Sequence, residues 1–220
     1  MNNRITIKSD RLLAVEGKDE CNFFKAMLQY EKINNIQVID IGGKDKFKIE
    51  LSLLLNLEGF SEVHTLGFVR DAEENQADSA FSSICSVLNK NRLPAPKTIN
   101  SINNEQNIKV GVFIMPNNID KGMLEDLCIE SVKANPVFEC VNQYIECCLL
   151  RFPENEKNIN LSKAKIQTYL AVKNPIVNSL GLAAAKGYWD FSEKCFSEIR
   201  KFICNLFWSD APINAPLKQN

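Results

Sequence analysis

Residues 12–20, Leu12-Leu13-Ala14-Val15-Glu16-Gly17-Lys18-Asp19-Glu20, set the reading of the whole chain. The apolar run Leu12–Val15 reads as a buried strand, and it stops at a carboxylate, a glycine and a lysine. Directly after it, Cys21, Phe24, Met27 and Leu28 recur at helical spacing, with Asp19 near the helix start. A strand that passes straight into an amphipathic helix is the opening of an α/β unit. Open α/β sheets place ligands beyond the carboxyl ends of their strands, so Glu16 falls at a ligand-binding edge.

The same pattern repeats along the first half. Ile36–Ile41 alternates as a strand and stops at Gly42-Gly43, after which Asp45 can cap a helix with Phe47, Leu51, Leu54 and Leu55 on its apolar face. Val63–Val69 is a third strand, ending at Asp71-Ala72-Glu73-Glu74, and Ala77, Phe81, Ile84 and Leu88 form the face of the next helix. Pro94 and Pro96 open a polar stretch to about Asn107, read as a surface loop or edge segment. Val110–Met115 is the last strong strand. Beyond it the chain reads as helical: Met123 to about Leu150, Leu161–Val172, a Gly/Ala-rich joint at Gly181–Gly187, and a final helix from Phe191 to about Phe207. The expected fold is α/β, with a mostly parallel four-stranded sheet flanked by helices and right-handed crossovers. Residues 1–150 form its core domain and residues 151–220 a helical C-terminal extension packed on it.

Composition narrows the function. A net charge of −1 gives no broad attraction for nucleic acid, so a polyanion would need a local basic patch or metal ions. The eight cysteines form no C-x-x-C pair and fall mostly in helical patterns, as reduced thiols do. With no secretory leader pattern and no apolar run of spanning length, the expectation is a cytoplasmic protein away from the membrane. The single histidine, His64, lies in a strand pattern and cannot anchor a zinc site alone.

Acids carry the chemistry. Glu16, Asp71 and Glu73 sit at strand ends, and parallel strands deliver those ends to one side of the sheet. Asp71 and Glu73 are two apart, so in an extended segment both side chains point the same way and could grip one hard cation. Acids at strand ends also cap the helices that follow, where the macrodipole favours them. Lys18 could neutralise a phosphate beside a metal, or pair with Asp19 or Glu20 as a solvated lysine. Lys44, after the glycine turn, has the same two readings. Tyr188 and Trp189 could stack on bases or anchor the last helix on the core. Lys163, Lys165, Lys173, Lys186, Lys194, Arg200 and Lys201 make the C-terminal half the more basic face.

Together, Val15-Glu16-Gly17-Lys18-Asp19, Val69-Arg70-Asp71-Ala72-Glu73 and Gly122-Met123-Leu124-Glu125-Asp126-Leu127 resemble the Toprim domain of topoisomerases, bacterial primases, overcoming-lysogenization-defect nucleases and small ribosomal-RNA-maturing nucleases. More narrowly, with Gly42-Gly43-Lys44 and Lys186–Phe191, the chain resembles a family of small stand-alone Toprim-related proteins. The resemblance implies a Toprim/Rossmann-like fold. It makes Glu16 a general acid or base or a metal ligand, and Asp71 and Glu73 the pair that holds Mg²⁺ or Mn²⁺, with Glu in place of the usual second Asp. Glu125 or Asp126 matches the extra acid for a second metal; adjacent on a helix, they diverge by about 100° and do not both face one ion.

The activity this implies is Mg²⁺-dependent phosphodiester hydrolysis of nucleic acid, with Glu16, Lys18, Asp71 and Glu73 as its machinery. The alternative is a non-catalytic or partner-dependent subunit that binds metal or nucleotide, beside an ATPase in genome defence. Topoisomerase and primase activities are not expected, because each needs further domains that these residues do not supply.

Overall fold

A computed structural model describes residues 6–43 and 46–208. Lys44, Asp45 and the tail bearing Pro212 and Pro216 lie outside the described residues. The order is β1 (Arg11–Val15), α1 (Lys18–Tyr30), β2 (Gln37–Asp40), α2 (Phe47–Leu55), β3 (Thr65–Asp71), α3 (Ala77–Lys90), β4 (Ile102–Glu105) and β5 (Ile108–Met115). Helices follow: α4 (Leu124–Val132), α5 (Pro136–Leu149), α6 (Leu161–Ala171), α7 (Leu180–Ala185) and α8 (Ser197–Phe207).

The strands pair in the order β2-β1-β3-β5-β4, with β2, β1, β3 and β5 parallel and β4 antiparallel to β5. The sheet therefore has five strands where four were expected. The extra one, Ile-Asn-Asn-Glu, lies in the segment read as loop or edge; its residues are half-buried or exposed, so it lacks the apolar alternation that marks a strand. Its conformation comes from the ladder β5 offers.

Three helical boundaries also differ from expectation. The stretch from Met123 to Leu150 breaks into α4 and α5, because Pro136 takes the first position of a new helix and the Asn135 side chain accepts from Val137 N at 3.0 Å. The last helix starts at Ser197, after a 3-10 turn at Lys194–Phe196. The Gly/Ala joint is itself a short helix, α7.

Pleat alternation splits the core in two. Leu13, Val15, Val69 and Phe113 face α1 and α4–α8, while Leu12, Ala14, Phe68 and Val112 face α2 and α3. Each such buried Leu, Val or Phe contributes about 1.5–3 kcal/mol, so the C-terminal helices are held by the same burial that holds the sheet. Gly67 and Gly111 stand opposite one another on β3 and β5. Without side chains there, α8 seats directly on the sheet; a β-carbon on Gly67 would lie 2.7 Å from Leu206 Cδ2.

The α7 helix is pinned to α1. Asp19 accepts from Leu180 N at 3.0 Å and Gly181 N at 2.7 Å, and Trp189, buried, donates from Nε1 to Leu180 O at 3.0 Å. Trp189 thus anchors the core, and the Tyr188 hydroxyl donates to Pro175 O. All eight cysteines are free thiols, and among the described residues no helix is long and apolar enough to cross a membrane.

Gly181 has no room for a side chain: a β-carbon there would stand 2.2 Å from Asp19 O. Gly181→Ala is therefore expected to destabilise by about 1–3 kcal/mol, an overpacking cost, lowering the thermal midpoint by several degrees. Gly43→Ala, with nothing within 4 Å of the added carbon, should change the same midpoint by little.

Candidate functional site

The strand order makes the β1–β3 junction the switch point: β1 leads through α1 to β2 on one side, and the chain then crosses back through α2 to β3 on the other. Doubly wound sheets bind ligands at this place. Ala14 pairs with Phe68 in the ladder, so two residues further on Glu16 comes level with Arg70, and Asp71 follows on the opposite pleat.

Glu16 Oε1 lies 3.1 Å from Arg70 Nε, with side chains 18% and 7% exposed. The pair is close enough for ionic attraction but outside hydrogen-bond alignment, and both atoms are buried without another hydrogen bond. Asp71 turns toward α1 and α4, where its Oδ1 accepts from Leu124 N at 3.1 Å, a carboxylate at a helix start. The next residue of α4, Glu125, is largely buried, with Lys163 Nζ 4.0 Å away.

The neighbouring Asp126 has a different task. It accepts from Met123 N at 2.8 Å and from the Ser162 hydroxyl, closing the start of α4 and tying it to α6. The two adjacent acids are thus separated, as helical geometry requires.

Glu73 departs from the extended arrangement expected of it. Its φ of 56° is left-handed, its backbone exchanges two 2.8 Å hydrogen bonds with Gly122, and its side chain is exposed. The Asp71–Glu73 pair is therefore carried on a turn rather than on one straight strand. Lys18 is exposed at the first position of α1.

Three participants were given no role in the site from the sequence, where Glu20 was only a partner for Lys18 and Lys163 only one cation of the basic face. Glu20 folds back over Gly17, where a β-carbon would meet Glu20 Oε2 at 2.6 Å; that crowding, and not a left-handed φ, is what glycine relieves there. Arg70 and Lys163 are the others. The four-residue spacing of Glu16 and Glu20 across the strand-to-helix junction and the arginine in Val69-Arg70-Asp71 are the signals that could have found two of them. His64 sits at the opposite edge, against Asp10 at 2.9 Å.

Burial and mutual repulsion perturb these acids. Burial is the largest cause raising Glu16 to about 7; Arg70 opposes it, and Glu73 and Glu20 add to it. Asp71 is pushed well above the usual carboxylate range by burial, then by the charges of Glu16, Glu125 and Glu20, with only the Leu124 amide opposing among its main influences. Glu20 and Glu125 are raised mainly by burial, and Lys163 lowers both.

A group of desolvated, mutually repelling carboxylates favours either protons or a cation. All its donors are hard oxygens, which suit Mg²⁺ or Mn²⁺; Glu16 Oε1, buried without a hydrogen bond, already faces the Arg70 guanidinium. Chemically the residues fit such an ion. Among the described residues no three acidic, histidine or cysteine side chains stand together as a ready-made cage, so the carboxylates would have to close around it.

The molecule is thus a doubly covered α/β protein with acids gathered at its switch point. The chain belongs to the family described as Protein of unknown function (DUF3226), whose model matches residues 10–208. Among solved structures it is similar to the hypothetical protein PH0156 from Pyrococcus horikoshii OT3, at 18% identity over 89% of this chain and 94% of that one, with a TM-score of 0.58. Looser likenesses are the C-terminal regions of the OLD proteins of Xanthomonas campestris pv. campestris (17% identity, 90% and 95% of the chains, TM-score 0.43) and Burkholderia pseudomallei (15%, 91% and 96%, 0.46). No curated protein matches the chain.

The raised acids fix a sign for pH dependence. Between pH 4.5 and about 7 the folded protein keeps a proton on Glu16 that the unfolded chain has released, so stability falls as pH rises through that window. In metal-free protein the denaturation midpoint should therefore fall between pH 5 and pH 8, and fall less in Glu16→Gln. Asp71→Asn, which keeps an acceptor for Leu124 N and removes a desolvated charge, should raise the thermal midpoint at pH 8 by roughly 2–4 °C, the shift that about 1 kcal/mol produces in a domain of this size.

Proposed function

We propose that this chain is a Toprim-type, divalent-cation-dependent phosphodiesterase acting on nucleic acid. The observation that carries the reading is the cluster of Glu16, Glu20, Asp71 and Glu125 at the β1–β3 switch point, each raised by burial and most by one another. The resemblance of the three acidic motifs to the Toprim pattern supports it from the sequence side.

In this reading Asp71 and Glu125 hold Mg²⁺ or Mn²⁺, with Glu73 at the rim, and Asp126 is left to helix capping. When bound, such an ion supplies Lewis-acid polarisation of the phosphate and acidifies water. Glu16, whose pKa of about 7 matches neutral pH, exchanges the proton of the attacking or leaving oxygen. Lys18, exposed on the first turn of α1, and Lys163, beside Glu125, bring positive charge to the phosphate.

One observation favours a second reading. With a net charge of −1 the chain lacks a broad positive field, which suits a subunit whose grip on nucleic acid is supplied by a partner such as an ATPase.

The test is hydrolysis of single- and double-stranded DNA and RNA with Mg²⁺ or Mn²⁺. Glu16→Gln and Asp71→Asn should each lower the rate about 10²–10⁴-fold, the range for loss of proton transfer or of a charge-stabilising group. Cleavage that survives both substitutions at the wild-type rate would refute the mechanism. Cleavage seen only with an added ATPase partner would select the second reading.

A further inference from the structure

We infer that the Arg70 guanidinium is the receptor for a terminal phosphate, so that the chain takes hold of a nucleic-acid strand by its phosphorylated end. The inference rests on the phosphodiesterase reading above for the class of substrate and adds which part of the strand is recognised.

Arg70 stands on β3 with a strand on either side, and its companions on the same pleat, Leu66 and Phe68, are core residues. Its side chain is 7% exposed, with Glu16 Oε1 against Nε at 3.1 Å. That contact is out of hydrogen-bond alignment, so Nε is buried without a hydrogen bond. A guanidinium carries five N–H donors, four of them on its terminal nitrogens. Among the described residues none of the five is engaged in a hydrogen bond.

The other arginines show what a structural role looks like in this fold. Arg11 donates to the carbonyls of Phe207 and Asn34, and Arg200 donates to the Phe191 carbonyl as well as to Glu31. Arg70 lies deeper than either and holds no carbonyl. Glu16 offsets its charge from the Nε side and leaves the end-on fork of the two terminal nitrogens, the edge that matches two oxygens of one phosphate.

Depth decides the form of that phosphate. An internal phosphate carries a sugar on two of its oxygens and cannot sink onto a side chain set so far below the surface. A terminal phosphate has three unesterified oxygens and a single linkage behind it. The face suits an anion as well: α2 and α3 cover the Arg70 pleat and begin at this edge of the sheet, neither with a side-chain cap on its first amides. Asp71, the next residue, projects from the opposite pleat. A phosphate on Arg70 thus leaves the adjoining phosphodiester on the Asp71 side, and hydrolysis starts at the phosphorylated end.

The experiment measures, by fluorescence anisotropy, the binding of a short, internally labelled single strand to the full chain in EDTA at fixed ionic strength. The strand carries a phosphate on one end, on the other end, or on neither. Wild type should bind one of the phosphorylated strands about tenfold tighter than the hydroxyl-ended strand, the gain expected of one charge-assisted bidentate pair. Arg70→Gln should erase the difference, and Arg70→Lys, which keeps the charge and loses the fork, should keep at most about threefold. Should Arg70→Gln not fold, the paired variant Glu16→Gln with Arg70→Gln, which buries no charge there, takes its place; Glu16→Gln alone keeps the guanidinium and should keep the preference. Equal affinity of wild type for all three strands, or a preference that persists in folded protein lacking the guanidinium, would overturn the inference. Because binding is read without a divalent ion, a failure to cleave in Mg²⁺ would overturn the phosphodiesterase reading and leave the end preference standing.

Discussion

The parallel ladder between β1 and β3 is the constraint on which the rest depends. With Ala14 opposite Phe68, the strands end so that Glu16 meets Arg70 and Asp71 passes to the far pleat against the start of α4. A slip of one residue would exchange the faces, turning Leu13 and Val15 away from α1 and separating Glu16 from its guanidinium. The register is held by two layers at once, since β1 is buried on both faces and Gly67 leaves just enough space for Leu206 of α8. Packing remote from the acids thereby sets their geometry.

That geometry works against stability. Carboxylates gathered in a desolvated place repel one another, and the fold offsets the repulsion locally: Arg70 beside Glu16, the α4 amide beside Asp71, Lys163 beside Glu125. The offsets are incomplete, as the raised Glu16, Glu20, Asp71 and Glu125 show. Under the cation-dependent reading proposed above, the fold tolerates this cost for the ion the cluster binds. Asp126 shows the contrast: a neighbouring acid with every reason to belong to the cluster is instead fully employed by Met123 N and Ser162.

Much of the fold was legible in the residues. Leu12–Val15, Ile36–Ile41, Val63–Val69 and Val110–Met115 are apolar because they are central or covered strands, and their order implies the parallel sheet. Strand β4 was not legible, because Ile102–Glu105 borrows its conformation from β5 and offers the core only the half-buried Ile102. Helix α7 was not, because Leu180–Ala185 is fixed by Asp19, about 160 residues earlier in the chain. In the site, Glu16 and Asp71 were visible as strand ends, whereas which of Glu125 and Asp126 joins Asp71 depends on where α6 places Ser162 and Lys163. The turn at Glu73 was hidden too, since its left-handed backbone answers to Gly122.

The central claim is that the acids at the β1–β3 junction form a divalent-cation site. Anomalous scattering from a crystal of the full chain soaked in Mn²⁺ tests it most directly. The account predicts a peak between Asp71 and Glu125, within about 2.0–2.3 Å of their carboxylate oxygens, the range for a small hard divalent ion. A map with no peak at that edge, or with the ion bound only elsewhere, would contradict it.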